Sequence, residues 1–287
     1  MKRVGMMQPY LFPYLGYFQL ISSVDVFVLG DDLQYVKESW INRNRILMNG
    51  KDKLITFPLK KGSLRANINE REFCDDFDVE MDKLLRVIAS AYSKAPYFKK
   101  VFPMLQAIIK HPERNLARYA EHSIRQICNY LDIHTPIIVA SELNVTDVID
   151  KQDRVIRTAK KVGGDVYINF IGGMSLYDFE YFKQNGLTLK FHKINEITYP
   201  QFGNVFVPLL SIIDVMMFND QPEVKRRLGC YSLLDAPDHA VSVCDHCTAC
   251  LEAKAEEGRI ARQEGSADDG SIAVDGQQQA ASSVCNG

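Results

Sequence analysis

The sequence predicts an α/β fold, a parallel-type sheet with flanking helices, and three observations carry the prediction. Residues 4–8 and the apolar run Val26-Phe27-Val28-Leu29 read as strands separated by a loop and a short helix around 16–22, the opening of a parallel sheet. The same alternation returns from Pro136-Ile137-Ile138-Val139-Ala140: a helix over 151–162, a strand at Val166-Tyr167-Ile168, a helix over 177–184 and a strand over 187–191. Between these two stretches lies a segment of another kind, so the fold reads as a sheet carrying an insertion.

A β-hairpin is expected near residues 44–58, and the insertion itself is the helical segment near 77–131. Asn49-Gly50 sits between Arg45-Ile46-Leu47-Met48 and Lys53-Leu54-Ile55-Thr56-Phe57, and both turn residues tolerate the positive φ of a tight hairpin. From 77 to 131 the spacing is helical. Met81, Leu84, Leu85, Ile88 and Tyr92 make one stripe, Ala117, Tyr119, Ile124, Ile127 and Leu131 supply others, and Pro96, Pro103 and Pro112 punctuate the segment. Residues 205–218 are apolar enough for a buried terminal helix, and Asp214 inside it needs a partner, either a backbone amide or a site arginine. These elements make residues 1–233 one α/β domain. From 234 to 287 Ala, Gly, Ser, Asp and Gln dominate and apolar periodicity stops, which reads as a mostly disordered, low-complexity tail.

With 46% hydrophobic and 24% charged residues among 287, the chain can bury one large core or two modest ones. A formal charge of -2, from 34 basic and 36 acidic residues, provides no global field to draw nucleic acid or an anionic membrane, so any anion site is local. No apolar run approaches the roughly 20 residues of a membrane span, and the reading places the protein in the cytoplasm. Seven cysteines without a secretion signal argue against disulfides, and Cys128 reads as buried filler on a helix. The tail sequence Cys244-Asp245-His246-Cys247-Thr248-Ala249-Cys250 offers thiolate and imidazole ligands, yet Cys285 alone could extend the set, so no metal is assigned. His111, His122, His134 and His192 stand in no Cys/His or Ser/His arrangement and are expected at the surface or as satisfied core.

Polar and aromatic side chains concentrate in Gln8-Pro9-Tyr10-Leu11-Phe12-Pro13-Tyr14-Leu15-Gly16-Tyr17-Phe18 and Trp40-Ile41-Asn42-Arg43-Asn44-Arg45, with Asp31-Asp32-Leu33-Gln34-Tyr35 between them. Pro9 and Pro13 fix φ and forbid helix, so a stiff loop presents the aromatics. Gln8, Tyr10 and Tyr17 are expected to form one wall of a pocket, while Phe12 and Phe18 are loop core. Gly16 permits close approach before a helix whose first amides can face an anion. Asp31 or Asp32, at a strand end, is the candidate general base, and Gln34 completes a polar floor. Arg43 and Arg45 share a face and suit phosphate or carboxylate; their other role is to pair with Asp31 or Asp32. Trp40, Asn42 and Asn44 join them as substrate-binding candidates. So do Asn169, beyond a strand and before Gly172-Gly173, and Tyr199, in a Tyr199-Pro200-Gln201 echo of Gln8-Pro9-Tyr10. Ser211 and Asp214 complete the set from one helix face.

Met7-Gln8-Pro9-Tyr10, the run from Phe12 to Phe18, Asp25, the Asp31 cluster, Ser39-Trp40-Ile41-Asn42-Arg43-Asn44-Arg45-Ile46, Tyr199-Pro200 and Leu210-Ser211-Ile212-Ile213-Asp214 resemble the WbqC-like protein family over residues 3–220. Gly30 departs from the apolar residue expected before Asp31, and the tail has no counterpart in the family pattern. The resemblance implies a place in bacterial surface polysaccharide biosynthesis, O-antigen assembly in particular, more than a specific reaction. Three readings of the residues remain open. In the first, a transferase acts on a nucleotide-linked amino or deoxy sugar, N-acyl transfer being favoured, with acyl-coenzyme A or an acyl carrier protein as donor. Aromatics and amides would hold the sugar, arginines its diphosphate, and Asp31 or Asp32 the amine proton. In the second, the protein binds a nucleotide sugar or a pathway partner without catalysis. In the third, Pro13-Tyr14-Leu15-Gly16-Tyr17 resembles in spacing the His-x-Gly-His turn of nucleotidyltransferases. Pro13 and Tyr17 replace its two imidazoles, which removes the groups that stabilise a transferring phosphate.

Overall fold

A computed structural model describes residues 1–63, 65–203 and 205–235; the tail from residue 236 on, with its cysteine cluster, lies outside the described residues. In chain order the elements are β1 (Arg3–Met7), α1 (Leu15–Ser23), β2 (Val26–Leu29), β3 (Arg43–Met48), β4 (Lys51–Thr56), α2 (Phe77–Tyr92), α3 (Phe98–Ile109) and α4 (Leu116–Tyr130). There follow β5 (Ile137–Val139), α5 (Lys151–Lys161), β6 (Val166–Phe170), α6 (Phe179–Gln184), β7 (Thr188–Ile194), α7 (Ile212–Phe218), α8 (Gln221–Leu228) and β8 (Tyr231–Asp235).

The fold is α/β, as the sequence predicts. Six strands form one sheet in the order β5-β2-β1-β6-β7-β8, parallel throughout except for the antiparallel β7–β8 pair. All four residues of β2 are buried because both faces of the sheet are covered. Phe27 and Leu29 enter the core that includes α1 and α7, while Val26 and Val28 enter the other, with Ile156 and Ala159 of α5. The ribbon β3–β4 and helices α2 to α4 all lie between β2 and β5 in the chain. Without that insertion the parallel strands run third, second, first, fourth, fifth, so the strand order reverses between β1 and β6. Such reversals open a crevice beyond the carboxyl ends of the strands.

The hairpin turns at Asn49 and Gly50, with φ of 53° and 73°. Both values belong to the left-handed turn expected of Asn-Gly. Helices α2 and α4 close on an aromatic cluster in which Phe73 stacks on Phe77 at 4.0 Å and Tyr119 stands edge-on to Phe73 at 5.0 Å. Cys128 is buried as expected, and burial pushes its thiol up to about 12. No helix among the described residues is long and apolar enough to cross a membrane.

The carboxyl-terminal part differs from expectation in three places. Only Ile212–Phe218 of the apolar run 205–218 is helical. Pro208 disfavours helix at Val207, Leu209 has a φ of 55°, and the Ser211 side chain caps the helix where it begins. Helix α8 follows, capped by Asp220 with a proline in its first turn and Lys225, Arg226 and Arg227 in its last. Strand β8 then adds an edge to the sheet, running through Asp235.

His192 on β7 is core, but not satisfied core. It is fully buried, stacks on Tyr231 at 4.5 Å and meets Phe170 edge-on at 5.5 Å, and neither ring nitrogen has a hydrogen-bond partner among the described residues. Burial holds its pKa down to about 4, against 6.5 for a free imidazole. Between those values the unfolded chain binds the proton and the folded chain does not. This contribution to stability is therefore full above pH 6.5 and falls as the pH drops toward 4, by up to about 3 kcal/mol. Urea denaturation of wild type and His192→Phe across that range measures it: the variant should show a flatter dependence, and equal slopes would refute the assignment.

Candidate functional site

At the carboxyl end of β1 the chain enters the loop of residues 8–14, held by donors distant in sequence. Phe12 sits at a φ of 46°, a costly conformation for a bulky residue, and its carbonyl accepts from both Asn44 Nδ2 and Ser211 Oγ at 2.7 Å. Asn44 also reaches the Leu11 carbonyl at 3.2 Å, while the Leu11 amide donates to Ile41 O at 3.1 Å. Tyr17 is fully buried and its hydroxyl donates to Gln8 O at 2.8 Å. Gln8 and Tyr10 remain partly exposed, joined by a 3.2 Å hydrogen bond from the Tyr10 hydroxyl to Gln8 Oε1. Of the expected wall, then, Gln8 and Tyr10 can touch a ligand, and Tyr17 supports them from behind. A Cβ at Gly16 would stand 2.3 Å from Ile194 Cδ1 and 2.5 Å from the Tyr14 ring, so its role is close packing of α1.

Ser211 has a second task, capping α7 by accepting from the Ile213 amide at 3.2 Å. Ser211→Ala should therefore lose about 2 kcal/mol, from one cap and one buried hydrogen bond, in urea denaturation. A loss below a few tenths would mean that the loop does not depend on it.

On the ribbon, Asn42 is structural: its amide donates to Phe57 O at 2.8 Å and accepts from the Tyr35 hydroxyl at 2.9 Å. Arg43 Nε donates to Ser39 O at 3.1 Å, and Arg45 lies 5.1 Å over the Trp40 ring and 3.6 Å from Asp52. Asp32 pairs instead with Arg154 of α5. Gln34 is exposed and bridges to Asn67. At the end of β6, Asn169 donates to the Tyr177 hydroxyl at 2.8 Å.

Asp214 is fully buried and accepts from the Tyr92 and Tyr199 hydroxyls at 2.8 Å and from Gln201 Nε2 at 2.7 Å. These partners are two phenols and a side-chain amide, neither of the kinds expected. Burial raises its carboxyl above the usual carboxylate range, against the pull of those three donors.

Asp31, two residues beyond the end of β2, is buried but lines an open cleft. It lies in a cleft of about 460 Å3 between the ends of β2 and β5 and the first turn of α4, beside Pro9 of the aromatic loop. Its carboxylate accepts from the Ser141 amide at 2.9 Å, Ser141 Oγ at 2.7 Å and Asn69 Nδ2 at 3.0 Å. A carboxylate offers about four acceptor positions, so three donors orient Asp31 and still leave it capacity. Asn115 fastens the far wall by donating to Asn69 O at 2.6 Å, and Arg118, three residues on, lines the same cleft. Sequence reasoning did not single out Ser141, Asn69, Asn115 or Arg118. Ser141 follows strand β5 as Asp31 follows β2, so the strand-end rule could have found it; the other three come from the insertion and carry no local signal. The described residues contain no group of three or more side chains placed to hold a metal ion.

No solved structure matches this chain. A protein of Mycobacterium tuberculosis, "Uncharacterized protein Rv1507c", is 29% identical over 222 residues, covering 76% of this chain and 94% of the relative. The model of the WbqC-like protein family matches residues 8–226, from the aromatic loop to α8. That span takes in the loop, the Asp31 cleft, the ribbon and the Asp214 network together, and the chain belongs to the WbqC-like protein family.

Proposed function

We propose that the protein is a transferase of surface polysaccharide biosynthesis, O-antigen assembly in particular. Its substrate is a nucleotide-linked amino or deoxy sugar, and the favoured reaction is N-acyl transfer from a coenzyme A or carrier-protein thioester. The supporting observation is Asp31, oriented by three donors in a cleft at the carboxyl ends of parallel strands. An amine entering the cleft attacks the thioester carbonyl carbon, the C–S bond breaks, and Asp31 takes the proton from the attacking nitrogen before passing it to the leaving thiolate. Asp31 fits this role better than Asp32, whose carboxylate is engaged by Arg154. Gln8 and Tyr10, next to Pro9 at the cleft edge, would contact the sugar.

Incubating the protein with nucleotide-linked amino sugars and acyl-coenzyme A donors, with mass spectrometry of the sugar, tests the reading. An N-acylated sugar supports it. Binding without product transfers support to a non-catalytic nucleotide-sugar protein, and absence of both binding and product overturns both. The strand order favours one other reading, since this doubly wound arrangement commonly holds nucleotides. A nucleotidyltransferase would release pyrophosphate from a nucleoside triphosphate. Tyr17, at one of the positions where a histidine would act, is instead buried against Gln8 O.

A further inference from the structure

We infer that the Asp31 cleft recognises a ligand bearing a cationic amine and an anionic group at once, with Arg118 as the residue that selects the anion. This deepens the proposed function, on which its amine half rests. The two walls of the cleft carry opposite uncompensated charge. On the α4 wall, Glu121 is neutralised by Arg125 at 2.8 Å, whereas Arg118 is exposed and its guanidinium has no hydrogen bond or ion pair among the described residues. On the opposite wall stand Asp31 and Glu142, the latter exposed and also without a side-chain partner among the described residues. Asp31 is bound only by neutral donors, from Ser141 and Asn69, so its charge is hydrogen-bonded but not cancelled.

Arg118, Asp31 and Glu142 line one cleft, and no ion pair joins them among the described residues. Held on separate rigid elements, they present a cation and anions to whatever enters. A neutral sugar uses neither wall fully, and a simple anion or amine meets one favourable and one unfavourable charge. An amino sugar phosphate, or the amino sugar and proximal phosphate of a nucleotide sugar, satisfies both. Arg118 suits phosphate because its planar fork can make paired hydrogen bonds.

Isothermal titration with glucosamine 1-phosphate, glucosamine and glucose 1-phosphate tests this directly. Wild type should bind glucosamine 1-phosphate at least tenfold more tightly than either of the others. Arg118→Gln should lose the preference for the phosphate over plain glucosamine, leave glucosamine affinity within twofold, and keep the wild-type melting temperature. Arg118→Lys should recover part of the phosphate preference. The inference is overturned if wild type binds none of the three, if it does not prefer the bifunctional compound, or if Arg118→Gln retains the preference. Phosphate preference through Arg118 with no acylation of any nucleotide sugar would remove the transferase reading and leave the anion half of this one standing; acylation unaffected by Arg118→Gln would do the reverse.

Discussion

Asp214→Ala is expected to destabilise the protein by about 3 to 5 kcal/mol, a large fraction of the stability of a typical domain. The substitution strands two phenol donors and one amide donor, from Tyr92, Tyr199 and Gln201, in a region closed to solvent. Each unsatisfied buried donor costs about 1 to 3 kcal/mol, and partial relaxation keeps the total below the simple sum. The damage spreads because the partners have partners: the Tyr92 hydroxyl accepts from the Leu47 amide, and Gln201 accepts from the Val207 amide at 2.7 Å. The ribbon, α2, α7 and the backbone at Gln201 and Val207 therefore loosen together. Urea or thermal denaturation with far-ultraviolet circular dichroism measures the loss, and a variant within 1 kcal/mol of wild type would show that the network is not a keystone. Asp214→Asn, which keeps shape and one oxygen, should fall between. Asp214 also titrates in the opposite sense to His192. Its raised carboxyl means that the folded state holds the proton longer than the unfolded chain, so its contribution grows as pH falls and is lost as pH rises through the folded value. The two single variants separate these opposed slopes.

Asp31→Asn should lower kcat/KM for the proposed acyl transfer by about 100-fold or more, the usual scale for removing a general base. Stability should change less than in Asp214→Ala: one oxygen remains for the Ser141 amide and the Ser141 hydroxyl can rotate to accept from the new amide group, while the Asn69 amide, which donated to the replaced oxygen, loses its acceptor unless it flips. Asp32→Asn breaks only a partly exposed ion pair and should leave turnover within a few-fold. Steady-state kinetics on both variants decides between the adjacent carboxylates. Full turnover in Asp31→Asn would remove the base from the mechanism, and a collapse in Asp32→Asn alone would transfer the role to its neighbour.

The parallel sheet was legible in the sequence because Val26-Phe27-Val28-Leu29 has no polar residue to place on a wet face, and the hairpin because Asn49-Gly50 has few other uses. Helix α8 carried standard end signals in Asp220, Pro222 and Gly229. It shows only a thin apolar stripe, Val224 and Leu228, which hid it beside a low-complexity tail. The candidate site was legible by location and less so by role. Asn44, Ser211 and Asn42 have the donors that a ligand site needs, yet a loop carbonyl uses the same donors, and spacing alone does not distinguish the two. Asn69 reaches Asp31, and Arg118 reaches the cleft, only through the path of the insertion, which no local pattern encodes.

The two donors on the Phe12 carbonyl lie 32 and 199 positions further along the chain. A nascent chain can pair β1 with β2 and even close the ribbon on Asn44, but Ser211 is synthesised almost last among the described residues. The loop beside the cleft thus receives its final clamp only when α7 docks, which makes site assembly a late, non-local event in folding. Ser211→Ala should therefore leave amide protection in the parallel sheet in place while the amides of the amino-terminal loop exchange faster. Docking of α7 would then itself act as the checkpoint that separates a folded scaffold from a functioning one.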